Sequence, residues 1–171
     1  RIAYVTVEHN ESSSLFKLMV SDEDGENERI YRESTDIIMS PAWSPDERRL
    51  AYVSFEENNE PIIFEQTLRT GNRIKLSRRK GVHNGAPAYS PDGRHLVLTL
   101  GSIDGNLDIY VMNLSNKEVK RLTTDRSIDT EGSWSPDGKQ IYFNSDRSGS
   151  AQIYRIDSSG GIPERITFEG R

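Results

Sequence analysis

The sequence predicts an all-β chain, a β-propeller present as about four four-stranded blades, and three observations predict it. A short segment built on Ser-Pro-Asp recurs at a period in the mid-forties, and each recurrence is followed by strand-like runs separated by turn residues. The composition, 33% hydrophobic and 29% charged, suits thin repeated layers better than one deep core. A period of that length with four strands per unit fits WD40-like blades rather than helical solenoids.

Three segments align, SPAWSPDERRLAYVS from Ser40, GAPAYSPDGRHLVLTL from Gly85 and EGSWSPDGKQIYFNS from Glu131. Their triplets begin at Ser44, Ser90 and Ser135, successive spacings of 46 and 45 residues. A fourth copy starts mid-repeat, because Arg1-Ile2-Ala3-Tyr4-Val5 matches Arg49-Leu50-Ala51-Tyr52-Val53. The first strand of each unit ends in an aromatic (Trp43, Tyr89, Trp134) and carries a small residue (Ala42, Ala88, Ser133), as expected where blades converge on an axis. The turn that follows has a mechanism: Pro presets φ, Asp bonds backbone N–H groups, and Gly93 or Gly138 accepts positive φ. Glu47 stands where the other turns have glycine, so that turn must use another geometry or accept strain of about 1 kcal/mol.

Second strands are expected at Leu50 to Ser54, Leu96 to Leu100 and Ile141 to Asn144. Third strands follow at Ile62 to Thr67, Leu107 to Leu114 and Gln152 to Asp157, and fourth strands at Arg73 to Ser77, Val119 to Thr123 and Glu164 to Thr167. Runs such as Ala51-Tyr52-Val53 and Ile109-Tyr110-Val111 are apolar on both faces, which a sheet sandwiched between neighbours requires. The blades therefore fall at roughly 1–39 (incomplete), 40–84, 85–130 and 131–171, one partial propeller over 1–171. In an open arc of this kind, Tyr4 at one end and Tyr154 or Ile156 at the other are expected to be exposed.

The 27 acidic and 22 basic residues give a net charge of -5, which does not draw the chain to nucleic acid or anionic lipid. With no cysteine there is no disulfide framework, Cys-ligated zinc or thiol nucleophile. No apolar run long enough to insert in a membrane and no leader pattern is present, so a protein or a small ligand is the expected partner. The chain opens on Arg1 directly in a strand, which reads as a mature or truncated form.

His83 is the obvious general base, with Asp92 nearby in sequence, but Asp92 belongs to the turn that recurs as Asp46 and Asp137, and His83 has no counterpart. GSWSPDG fails as a nucleophile elbow because Pro136 sits where the second glycine belongs. No catalytic residue, cofactor site or metal site is named, and the chain is read as not an enzyme. The acids of DRSIDTEGS (Asp125, Asp129, Glu131) are the best oxygen cluster, and they read as a solvated loop. SSGGIP from Ser158 is a hairpin turn with no helix after it, LSRRKG from Leu76 a charged loop tip, and the sequons at Asn10 and Asn113 matter only in a eukaryotic secretory setting. What remains is the set of loops leading into the first strands, IIMS, GVHNGA and SIDTEG, which a propeller gathers at one end near its axis. Met39, His83 and Thr130 differ from repeat to repeat, as either a partner surface or a drifting loop would.

SPAWSPDERRLAYVSFE, HNGAPAYSPDG, LDIYVMNL, DTEGSWSPDG and GGIPERITFEG resemble the propeller (PD40 repeats) of the TolB family, the periplasmic component of the Tol-Pal system of Gram-negative bacteria. The likeness runs over essentially the whole chain. It implies a periplasmic protein-interaction role. The family has an N-terminal α/β domain followed by a six-bladed propeller, so this chain would hold three repeats and most of a fourth. Family members bind the peptidoglycan-associated lipoprotein Pal through the axial end of the propeller and TolA through an N-terminal segment that is not in this sequence. They support outer-membrane integrity and constriction during cell division. The Pal-facing positions that match here are Met39 and Ser40, His83, Asn84, Gly85 and Ala86, and Thr130 and Glu131. Gly132 and Glu47 depart from the frequent proline and glycine of the family. The competing reading is the gating propeller of a prolyl-oligopeptidase-like hydrolase, which uses similar repeats and requires an α/β-hydrolase domain.

Overall fold

The computed structural model describes residues 1–77, 83–102 and 105–168, and among them there is no helix. Among these residues fifteen strands form four antiparallel sheets, each a simple up-and-down meander. Blade 1 holds β1 (Ile2–His9), β2 (Ser14–Ser21) and β3 (Arg29–Ser34). Blade 2 holds β4 (Ile38–Trp43), β5 (Arg49–Glu57), β6 (Glu60–Thr67) and β7 (Arg73–Lys75). Blade 3 holds β8 (Asn84–Tyr89), β9 (His95–Gly101), β10 (Leu107–Asn113) and β11 (Val119–Arg121). Blade 4 holds β12 (Asp129–Trp134), β13 (Gln140–Ser145), β14 (Gln152–Asp157) and β15 (Glu164–Arg165). The strands β1, β4, β8 and β12 touch in succession along the inner side, so the sheets stack radially as propeller blades.

Among the described residues three apolar cores lie between blades. Leu18, Val20, Leu50, Tyr52 and Phe64 join blades 1 and 2. Ala51, Val53, Ile63, Leu96, Leu98 and Tyr110 join blades 2 and 3. Val97, Ile109, Ile141, Phe143, Tyr154 and Ile156 join blades 3 and 4. Each middle strand therefore spends alternate residues on opposite neighbours, which is why its run is apolar on both faces. Tyr154 and Ile156 are 5% and 2% exposed, against the expectation that they stand open. They point back at blade 3, and the outer face of blade 4 carries Tyr142, Asn144, Ile153 and Arg155 instead.

The Ser-Pro-Asp turns share one construction. The buried hydroxyls of Ser44, Ser90 and Ser135 accept the N–H of Arg49, His95 and Gln140, each at 2.9 Å, and donate to Asp46, Asp92 and Asp137. Those aspartates in turn accept the N–H of Arg48, Arg94 and Lys139. Glu47, Gly93 and Gly138 occupy the same left-handed position, with φ of 53°, 68° and 71°. Of the two options open for Glu47, the chain keeps the common geometry and accepts the strain. A Cβ on Gly93 or Gly138 would also meet the Pro45 or Pro91 ring of the preceding blade, so the turns stack across blade junctions.

The fourth strands are shorter than the sequence predicts, ending at Lys75, Arg121 and Arg165. Beyond them the N–H groups of Leu76, Leu122 and Ile166 still donate to the carbonyls of Ile63, Ile109 and Ile153, each at 2.8 Å, but a side chain makes the return bond. Ser77, Thr123 and Thr167 accept the N–H of Ile63, Ile109 and Ile153 through their hydroxyls, at 3.0, 3.0 and 2.9 Å. No helix among the described residues is long and apolar enough to cross a membrane.

Candidate protein-binding face

The first strand of each complete blade starts at the end of the molecule opposite the Ser-Pro-Asp turns, and there it bulges. Pairing jumps between Met39 and Ala42, between Gly85 and Ala88, and between Thr130 and Ser133, one extra residue on the inner strand in every case. The extra residue is left-handed, with φ of 53° at Ser40, 45° at Ala86 and 56° at Glu131. None of the three is glycine, and Ser40 and Ala86 precede prolines, which favour extended backbone before them. Such strain persists only where the surroundings impose it, and bulges of this kind re-aim side chains at the rims of sheets.

The surroundings are visible at each bulge. Position one of the strand is buried in all three blades, by apolar packing at Ile38 and by bonds at Asn84 and Asp129. Asn84 Nδ2 donates to the Pro61 carbonyl of blade 2 at 3.0 Å. Asp129 receives both oxygens' worth of bonding from Arg147, at 3.0 and 2.8 Å. Glu131 donates its N–H to Thr99 of blade 3, and its carboxylate accepts from Asn144 at 2.7 Å. The backbone before the strand is tied down too: the Gly101 N–H bonds the His83 carbonyl at 2.7 Å, as the Phe55 N–H bonds that of Ile37 at 3.0 Å. A Cβ at Gly101 would lie 2.8 Å from the His83 nitrogen, so glycine is needed for this approach. Gly132 plays a similar part, since a Cβ there would lie 2.5 Å from Val97 Cγ2.

The residues singled out in the sequence divide by depth. Met39, His83 and Glu131 are exposed, Ser40, Ala86 and Thr130 half-buried, and Asn84 and Gly85 buried. Asn84 and Gly85 therefore shape the loop from beneath and do not present side chains. The exposed face also includes two residues that sequence reasoning missed. Ile37 and Ile128, 40% and 50% exposed, occupy the position of His83 in blades 2 and 4, and with Met39, 46% exposed, they make this end apolar. Their repeat alignment with His83 was the available signal.

Two chemical alternatives fail on geometry. His83 precedes β8 and Asp92 follows it, so a whole strand of roughly 20 Å separates them, and Asp92 Oδ1 is taken up by Ser90 and Arg94 within its own turn. The oxygen cluster is filled by a cation of the protein's own: Arg147 pairs with Asp125 at 3.0 Å and Asp129 at 2.8 Å. Desolvation opposes ionisation of Asp125, yet Ser127 and Arg147 hold its carboxyl below the usual range. Among the described residues no group of three or more His, Cys, Asp or Glu could hold a metal. The basic run Arg78, Arg79 and Lys80 lies outside the described residues.

A family model described as "TolB beta propeller domain" matches residues 1–171. The chain belongs to the TolB beta propeller domain family. It is 44% identical over 162 residues to a Tol-Pal system protein TolB of Bordetella pertussis, a match covering 94% of this chain and 35% of that protein. The crystal structure of TolB from Acinetobacter baumannii superposes with a TM-score of 0.89 at 46% identity, over 98% of this chain and 41% of that one. The chain thus spans between a third and a half of the length of these two TolB proteins. A puromycin-hydrolyzing peptidase of Mycobacterium tuberculosis also superposes, with a TM-score of 0.70 at 18% identity, over 95% of this chain and 26% of the other. That likeness concerns the fold alone.

Proposed function

We propose that this TolB-family propeller is a non-enzymatic interaction module of the Tol-Pal system in the periplasm, and that its bulged, loop-bearing end binds the lipoprotein Pal. The observation that carries the reading is the left-handed bulge at Ser40, Ala86 and Glu131, a strained device repeated where the first strands reach one end. Loops tied down by hydrogen bonds and presenting Met39, His83, Ile37 and Ile128 lower the ordering cost of binding, which is where preorganisation gains affinity. Ser40, Ala86, Thr130 and Glu131 set the shape of that surface, with Asn84 and Gly85 beneath. Through Pal the protein would support outer-membrane integrity and constriction during cell division, while TolA would engage a segment outside these residues. Identities of 44% and 46% to TolB proteins favour this reading over the gating propeller of a prolyl-oligopeptidase-like hydrolase.

Calorimetric titration with Pal tests it. His83→Ala and Glu131→Lys should each lose about 2 kcal/mol of binding with the fold intact. Lys139→Glu, on a turn at the opposite end, should bind as wild type. Unchanged affinity in both His83 and Glu131 variants would move the site elsewhere.

A further inference from the structure

At each blade junction one repeat position, held by Arg1, Arg49 and His95, approaches the aromatic residue that closes the first strand of the next blade. Arg1 lies over the Trp43 ring, 4.9 Å from its centroid, and Arg49 over the Tyr89 ring at 5.5 Å. Carboxylates hold both cations: Glu47 holds Arg1 at 3.0 Å, and Glu65 holds Arg49 at 3.1 Å, with Asp46 4.0 Å away.

The third junction has a histidine in that position. The His95 ring stands 6.3 Å from the Trp134 ring and is inclined to it by 40°, with Asp92 4.0 Å from Nδ1. An imidazole is shorter than an arginine side chain and leaves the seat beside Trp134 open. A groove of about 970 Å³ occupies it, lined by Asp92, His95, Glu118, Trp134 and Asp137 among others. The indole is fixed independently of any ligand, because its Nε1–H donates to the Ala88 carbonyl at 3.1 Å. Lys120, which also lines the groove, donates to the Ser159 carbonyl at 2.5 Å. The site therefore combines a fixed aromatic face with three carboxylates, of which Asp92 and Asp137 each use Oδ1 for their own turn and Glu118 uses Oε2 for Asn116, and the same chain fills the two equivalent seats with guanidinium groups.

We propose that the groove between blades 3 and 4 receives an arginine side chain from a partner polypeptide, stacked on Trp134 and facing Asp92. A planar guanidinium stacks on indole and pairs with carboxylate at once, which an ammonium does less well. The volume is at the upper end for a ligand pocket and accommodates the flanking residues of a peptide. The groove is at the turn end, so its occupant would not compete for the bulged face.

The test uses the protein at its natural length, labelled with fluorotryptophan, with the Trp134 resonance assigned from Trp134→Phe. A blocked Gly-Arg-Gly peptide should shift that resonance saturably. The lysine peptide should bind about tenfold more weakly, and the neutral citrulline peptide should leave the resonance unmoved. His95→Arg, which fills the seat from within, should abolish the shift, whereas His95→Ala should keep it. Thermal melts of both variants establish that they are folded. No shift in the wild type, because nothing binds or because another part of the protein covers Trp134, overturns the proposal. So does a citrulline response equal to that of arginine, or a shift undiminished in His95→Arg.

Discussion

The backbone N–H of Glu131 donates to Thr99 Oγ1 at 3.1 Å, so the bulge residue of blade 4 is held by the second strand of blade 3. Thr99 is fully buried and presents nothing to solvent. The shape of the candidate binding face at Glu131 is thus set across a blade junction as well as within the blade.

Thr99→Val keeps the shape of the side chain and removes the acceptor. The orphaned N–H should cost about 1–2 kcal/mol in urea unfolding, and Pal affinity should fall although no exposed atom has changed. Full Pal affinity in a destabilised Thr99→Val protein would show that the bulge does not need this bond.

The turn position shared by Glu47, Gly93 and Gly138 gives a contrast. Gly93→Ala places a Cβ at φ 68° against the Pro45 ring, and should lower stability by about 1 kcal/mol or more. Glu47→Ala keeps strain that the native turn already carries and removes only an exposed ion pair to Arg1, so its urea midpoint should move little. Equal losses in the two variants would contradict this account of the turn.

The aspartates of the three turns predict the acid limb of stability. The serine hydroxyls, first among the causes, hold Asp46, Asp92 and Asp137 below the usual carboxylate range. A folded-state pKa below the unfolded one gives stability that is fully present above the unfolded value, near 3.9, and lost as pH falls through the folded values. The melting temperature should therefore drop on acidification from pH 5 to pH 2. Ser90→Ala should lose about 1–2 kcal/mol at neutral pH through the unmet His95 N–H, and its melting temperature should fall less steeply with acid because the Asp92 shift has been reduced. A slope as steep as that of the wild type would remove Ser90 from the explanation.

The strands and turns were legible because the repeat sets them in alignment, and a turn such as Ser90-Pro91-Asp92-Gly93 declares its own geometry. The loop end was legible as a place but not as a surface. Nothing local says that Ser40, Ala86 and Glu131 are left-handed, because the strain is imposed by bonds such as Glu131 to Thr99, 32 residues apart. Asn84 looked like a contact residue and is buried, since its amide is needed by the Pro61 carbonyl of another blade. Fourth strands ended early for a related reason: a Ser or Thr hydroxyl took the place of one backbone acceptor, and hydroxyl competition with backbone bonds is written in no hydrophobic pattern.

The pairing of Arg147 with Asp125 and Asp129 was equally hidden, and it makes the strongest prediction at the binding face. Asp129 is fully buried at the start of β12, next to Thr130 and Glu131, and both its oxygens bond Arg147. Removing the cation leaves a buried charge without its Arg147 partner, which typically costs about 3–5 kcal/mol. Arg147→Met should therefore destabilise the protein by about that much and displace Thr130 and Glu131, weakening Pal binding. Adding Asp129→Asn to Arg147→Met removes the stranded charge and should recover part of the stability, although Asp129→Asn alone is destabilising. A double-mutant cycle by urea unfolding reads this coupling directly. Additive losses would mean that Arg147 stabilises the loop by packing on the Phe143 and Tyr154 rings, 5.6 and 4.9 Å from its guanidinium carbon, and not by neutralising Asp129.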